Sequence, residues 1–273
     1  DGVPVQYVLS ANGTVLTAYH GSADVNALSA ADKVFEVSLN DDGSGEYTFT
    51  LFQNLDHNPP GSSGQMNAWN LDFQYTATDA DGDKAEGSFK VVVADDEPVV
   101  SNPNGSAPGV SNAIVAEAGT ADGTDAGTGN SATGSLKVDF GADGFGSVKF
   151  SGLFDVPNEQ SGDLTPGGPA IDTGLTSNGV PVEVTLSTDG LTLTGTAGGQ
   201  TIFEAELDAD SADYTVTLSG PIDHHEGEGN RDDGQSLNFK ITAVDGDGDD
   251  VELTLSTRII DDEPVVSNPN GSA

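Results

Sequence analysis

The sequence predicts an all-β protein built from tandem antiparallel β-sandwich modules with Greek-key connections. Three observations carry this expectation. Apolar and polar residues alternate almost throughout, Asn-Gly, Asp-Gly and other Gly-rich turns separate the runs, and one set of motifs occurs twice. No window carries a helical stripe of any length, and Ala23 to Ala31 is the sole helical candidate.

The strands follow in order. Val3, Val5, Tyr7 and Leu9 share one face of the first, and Tyr47, Phe49 and Leu51 share a face further on. Leu71, Phe73, Tyr75 and Ala77 are followed by Phe89, Val91 and Val93. In the later half Val180, Val182, Val184 and Leu186 repeat the first pattern. Leu237, Phe239, Ile241 and Ala243, then Leu253, Leu255, Thr257 and Ile259, repeat the last two. The opposite faces carry Thr, Ser, Asp and Lys, as expected where only one face of each sheet is buried. Six or seven strands per unit are expected. Leu136, Val138, Phe140, Val148 and Phe150 predict strands with no counterpart in the first copy. The stretch from Pro103 to Asn130 offers only Ile114 and Val115 as anchors, so it reads as linker, long loop or metal-ordered segment.

The repeat sets the domain boundaries. Asp95 to Ala107 returns unchanged, in all thirteen positions, at Asp261 to Ala273. Gly2-Val-Pro-Val returns as Gly179-Val-Pro-Val, Leu55-Asp-His57 as Ile222-Asp-His224, and Tyr47-Thr-Phe-Thr-Leu51 as Tyr214-Thr-Val-Thr-Leu218. The expected division is residues 1–97 as a module whose first strands are missing or supplied from elsewhere, 98–263 as a complete repeat, and 264–273 as the start of the next. Because the chain begins at Asp1 without Met, it reads as a fragment of something longer.

Composition narrows the function classes. There are 45 Asp and Glu against 8 Lys and Arg, a formal charge of -37. A compact chain so charged repels itself unless salt or bound cations intervene, and it is a poor partner for nucleic acid or anionic lipid. No cysteine is present, which removes disulfides and thiolate metal sites. No 18-residue apolar run is present either, so direct membrane insertion is not expected.

Hard oxygen donors crowd the predicted turns. Asp79, Asp81 and Asp83 are matched by Asp245, Asp247 and Asp249, and acids at positions 1, 3 and 5 of a glycine-bearing loop suit Ca2+. Asp95 and Asp96, with Asp261 and Asp262, follow the final strand of each copy, where acids can share a cation with a neighbouring turn. Glu117 and Asp143 are further candidate ligands, set against an ordinary acidic linker and a hairpin turn. The His57 and His224 pair, with His225, reads as turn-capping or packing. Trp69 is a candidate ligand contact, set against an edge-of-core role. Catalysis finds no support: there is no nucleophile elbow and no phosphate-cradling loop, and carboxylates are too abundant to single out a catalytic pair.

Taken together, Gly141 to Gly144, Gly2 to Val5, Gly179 to Val182, Tyr47 to Leu51, Leu55 to Asn58, Ala77 to Asp83 and the two Asp-Asp-Glu-Pro exits resemble the repeats of giant bacterial type I secreted adhesins of the RTX group. The resemblance covers residues 1–97 and nearly all of the second unit. It implies Ig-like or cadherin-like extender modules that bind Ca2+ within and between repeats. It also implies neighbouring repeats of the same polypeptide as partners, and a secreted location on the bacterial surface supporting attachment or biofilm formation. The sequence departs from the pattern where Pro59 follows Asn58 rather than His57, and where the second copy has His-His-Glu without proline. Alternatives are a carbohydrate- or protein-binding module using Trp69, Pro59 and Pro60, an enzyme accessory domain, and a self-associating filament subunit with donated strands.

Overall fold

The computed structural model describes residues 3–21, 29–40, 42–57, 68–100, 110–154, 164–224 and 234–262. The chain divides into two compact units. The first takes in residues 1–97, 141–144 and 246–249, and the second residues 98–140, 145–245 and 250–273. Both are all-β. Among the described residues the helical turns are the 3-10 segments Ala30–Asp32 and Glu117–Gly119. The first lies at the end of the expected helical candidate, where Ser29 and Asp32 form a capping box; residues 22–28 lie outside the described residues.

In the first unit β1 (Val5–Leu9), β2 (Val15–His20), β3 (Lys33–Leu39) and β4 (Tyr47–Leu51) form a sheet in sequence order. Strands β5 (Ala68–Thr78) and β6 (Lys84–Ala94) form a long hairpin. Ala18, Val34, Phe35 and Val37 are buried, and Leu71, Phe73 and Phe89 of the hairpin pack against them. The ring of Phe35 meets Phe73 edge-on at 6.2 Å, and Phe73 stacks on Phe89 at 5.2 Å, so aromatic contacts join sheet and hairpin.

The second unit holds twelve strands among the described residues, more than the repeat pattern predicts. These are β7 (Val99–Val100), β8 (Val110–Ala116), β9 (Ser131–Ser135), β10 (Val138–Asp139), β11 (Phe145–Phe154) and β12 (Ile171–Ser177). There follow β13 (Val180–Leu186), β14 (Thr192–Ala197), β15 (Gln200–Leu207), β16 (Asp213–Leu218), β17 (Gln235–Asp245) and β18 (Asp250–Ile260). One sheet runs β11-β17-β18-β8, a second β12-β13-β14-β15-β16-β9, and β7 pairs with β10. A single core draws on both larger sheets. Phe239 of β17 lies 6.0 Å from Phe203 of β15 and 5.9 Å from Phe150 of β11.

Two expectations are corrected here. The pairing is not antiparallel throughout, because β8 runs parallel to β18 from Val110 beside Thr254 to Ala116 beside Ile260. A parallel pair needs a long crossover, and the intervening strands of the unit supply it. The stretch expected to be linker, long loop or metal-ordered segment contains a core strand, anchored as expected by Val115 but with Ala113 rather than the exposed Ile114 as its second buried residue. After it, backbone bonds from Thr120 to Glu117, Asp125 to Ala118, Gly127 to Gly119 and Thr128 to Asp125 fold residues 117–130 into successive turns. Those bonds satisfy polar backbone that few apolar contacts could hold.

Candidate metal centres

In the first unit, the loop after β4 carries Leu55, which packs on the core, and then His57. The Nδ1 atom of His57 lies 2.9 Å from Oδ1 of Asp95 at the exit of β6 and 3.8 Å from Oδ2 of Asp247. The backbone N–H of His57 donates to that same Asp247 oxygen at 2.9 Å. These side chains are almost wholly buried, at 5% for His57 and 1% for each aspartate. Asp249 is buried beside them. Burial first, and then the adjoining Asp249 carboxyl, push the Asp95 carboxyl up to about 6; His57 pulls the other way.

Oδ2 of Asp95, Oδ1 of Asp247 and Nδ1 of His57 have no hydrogen-bond partner, and neither does Oε1 of Glu97 two residues along. Buried carboxylate oxygens left in this way are costly unless a cation or proton meets them. Nδ1 and the Asp95 oxygen are close yet poorly aligned for an N–H···O bond. Neighbouring ligands of one cation sit at such a separation, about 3 Å for metal–oxygen distances near 2.4 Å. The donor set therefore fits a divalent cation, with Asp95 and Asp247 supplying oxygens and His57 an imidazole. Its three ligand atoms lie within 4.8 Å of one another.

The second unit builds a related cluster. Glu117, in the 3-10 turn after β8, is buried; its Oε1 accepts the N–H of Ile222 at 2.7 Å and lies 3.1 Å from Nε2 of His224. Asp261 completes the group. His224 and Asp261 stand at the repeat positions of His57 and Asp95, so both units set a histidine against the first acid of Asp-Asp-Glu-Pro.

His57 is buried and the His224 side chain nearly so, which agrees with the packing alternative of the expectation; capping of the turn falls to a neighbour. The aspartate before His224 does that work: Asp223 accepts from Thr176 Oγ1 and the N–H groups of Asn178 and Gly179, and these bonds lower its pKa. They pin the β12–β13 turn, where Asn178 sits at φ 50°. The available signal was the Asp-His dipeptide kept at one place in both copies.

The other candidates fall elsewhere. Asp79, Asp81 and Asp83 share an exposed turn between β5 and β6, where Oδ1 of Asp79 accepts the N–H groups of Gly82 and Asp83. The second-copy triplet is divided, Asp245 belonging to the second unit and Asp247 and Asp249 to the first. Asp96 accepts the N–H of Ala142, and Asp262 accepts that of Thr124, so each second acid of the exit braces a turn. Asp143 is raised in pKa by burial and accepts from Asn54 Nδ2. Trp69 is partly exposed on β5 and donates its indole N–H to the Asp56 carbonyl at 2.9 Å. His225, Pro59 and Pro60 lie outside the described residues.

The two units also align with one family. Residues 5–92 and 112–256 match the model of a family described as a domain of unknown function, DUF5801. The chain belongs to that family. For this DUF5801 chain, no curated protein and no solved structure gave a match. The two matched spans of the DUF5801 chain run from β1 into β6 and from β8 into β18.

Proposed function

We propose that this DUF5801 chain is a structural segment of a bacterial surface adhesin, in which Ig-like β-sandwich modules are stiffened by Ca2+ outside the cell. Its partners are neighbouring repeats of the same polypeptide, and it performs no catalysis. The observation that carries this reading is the buried first-unit cluster, where Asp95 and Asp247 present oxygens that no protein donor meets. The charge of -37 adds to it, since compact folding brings like charges together and a bound dication relieves them. Calcium supplies positive charge and takes six to eight oxygen ligands. Asp95 and Asp247 offer oxygens to it and His57 an imidazole nitrogen, with the Asp249 carboxylate alongside. The Asp-Asp-Glu-Pro exits and the Gly-Val-Pro-Val strands, which resemble those of RTX adhesins, support the assignment to that class.

The test is a calcium titration of the whole chain by calorimetry and thermal melting. An ion that binds only the folded form at a hundred times its Kd adds about 2.7 kcal/mol, so the melting temperature should climb by several degrees and return in excess chelator. A melt and a scattering profile indifferent to calcium would remove the proposal.

A further inference from the structure

The two units repeat one pattern, but their hairpins are not equally covered. In the second unit β17 lies between β18 and β11, and Leu237, Phe239 and Ile241 are fully buried. In the first unit the matching strand is β5, and among the described residues it pairs with β6 alone. Leu71 and Phe73 are half-buried and Tyr75 is 40% exposed, where its counterpart Ile241 is 0%. Phe89 is half-buried, and its counterpart Leu255 is 0% exposed. A groove of about 820 Å³, bordered by Leu9, Leu16, Val37, Phe73, Tyr75 and Phe89, opens on this face of the first unit. An open strand edge beside unfilled apolar surface is a template for another strand.

The second unit shows what such a strand looks like. Phe150 of β11 stands opposite Ile241, Lys149 opposite Thr242 and Val148 opposite Ala243. On β18, Leu253 and Glu252 continue the first two rows. Val148 and Phe150 enter the core, while Lys149 between them stays exposed. One solvent-facing row therefore reads Lys149, Thr242, Glu252, with opposite charges two strands apart. In the first unit the row is half present, as Thr76 opposite Glu86, with the lysine position unfilled on the outer side of β5. Glu86 also borders the groove. Charge and apolar pattern thus ask for one kind of strand.

We propose that the outer edge of β5 is a docking site for an antiparallel β-strand in which a lysine lies between two large apolar residues, as in Val148–Lys149–Phe150. Backbone pairing to β5 and insertion of the flanking apolar side chains supply the affinity. The lysine facing Glu86 sets register and orientation, because an exposed pair at this distance adds little binding energy. The inference stands independently of the metal proposal, since none of the groove residues named belongs to the cluster at His57.

The probe is a synthetic peptide with the sequence of residues 145–154, fluorescently labelled and titrated with the full chain in calcium buffer. Saturable one-to-one binding is expected by anisotropy, with amide exchange slowed in residues 72–78. A peptide with the Lys149→Glu change should bind about two- to five-fold more weakly, and a scrambled peptide should not compete. Absence of saturation by about 1 mM, equal binding by the scrambled peptide, or protection confined to residues outside β5 would each overturn the proposal. So would a chain that sediments as a dimer with residues 72–78 already protected, because a second copy would then be the occupant.

Discussion

Nδ1 of His57 lies 2.9 Å from Oδ1 of Asp95, with both side chains sealed from solvent in the first unit. The pair cannot be read as an ordinary salt bridge, because burial first, and then the adjoining Asp249 and Asp247 carboxyls, raise the pKa of Asp95 by more than the His57 imidazole lowers it. A site that resists ionisation in the absence of a cation is poised to gain from one.

The pH dependence follows from the sign of that shift. Asp95 titrates at about 6 in the folded protein and near 3.8 otherwise, so the folded state holds the proton more tightly. Its contribution to stability is therefore present at low pH and is lost as pH rises from about 4 through about 6. In chelator, the melting temperature should fall across this window. Calcium should reverse the fall, since the ion replaces the proton. Asp95→Asn should melt higher than the parent in chelator near pH 7, show a flatter pH profile, and gain less from calcium. A variant that keeps the full calcium response would show that Asp95 is not a ligand.

The exposed turn at Asp79 is expected to behave differently. Its carboxylate accepts two backbone N–H groups at 3.0 and 2.9 Å; the adjoining Asp81 side chain first, and then these bonds, depress its pKa. Asp79→Ala should lower the urea-unfolding midpoint only slightly, because both bonds lie in solvent and water can replace the lost acceptor. Asp81→Asn and Asp83→Asn, by contrast, should leave calcium stoichiometry unchanged. Loss of a bound ion in either asparagine variant would make this turn, whose three carboxylates also lie within 4.8 Å of one another, a metal site in its own right.

Much of the fold was legible because period-two patterns survive translation into structure. Leu237, Phe239 and Ile241 all reach the core, as their alternation with Asn238 and Lys240 requires. Strand β8 was hidden because its sequence VSNAIVA spends only Ala113 and Val115 on the core, and its parallel partner lies some 140 residues away. The buried cluster at His57 was legible in its acids but not in its histidine, and not as a set. Asp95 and Asp247 were visible as acids on turns, yet nothing local distinguishes Asp247, buried against a distant histidine loop, from its exposed counterpart Asp81.

Glu117 tests the second cluster. Its Oε1 holds the buried N–H of Ile222 and faces His224. Glu117→Gln keeps an acceptor for that N–H, whereas Glu117→Ala leaves it unpaired, which costs about 1–3 kcal/mol. Urea unfolding followed through the second unit should therefore rank the alanine variant below the glutamine one. Equal stability of the two would mean that Oε1 is not the partner of Ile222.

Gly119 separates packing from backbone strain in the turns that carry Glu117. A Cβ there would lie 2.2 Å from the Thr128 carbonyl oxygen and 2.7 Å from the Asn130 nitrogen, both fixed backbone atoms. Gly127 has a left-handed φ of +88°, but an added Cβ would meet nothing within 4 Å. Gly127→Ala should thus cost only the conformational term of about 1–2 kcal/mol. Gly119→Ala must push the 117–120 turn away from residues 128–130, and the shift should carry Glu117 off Ile222. Its cost should exceed that of Gly127→Ala by roughly the buried hydrogen bond, about 1–3 kcal/mol, and exchange of the Ile222 amide should accelerate in this variant alone. If the two alanine variants were equally stable and Ile222 remained protected in both, the tight approach of Gly119 to Thr128 would not be what positions the Glu117 carboxylate.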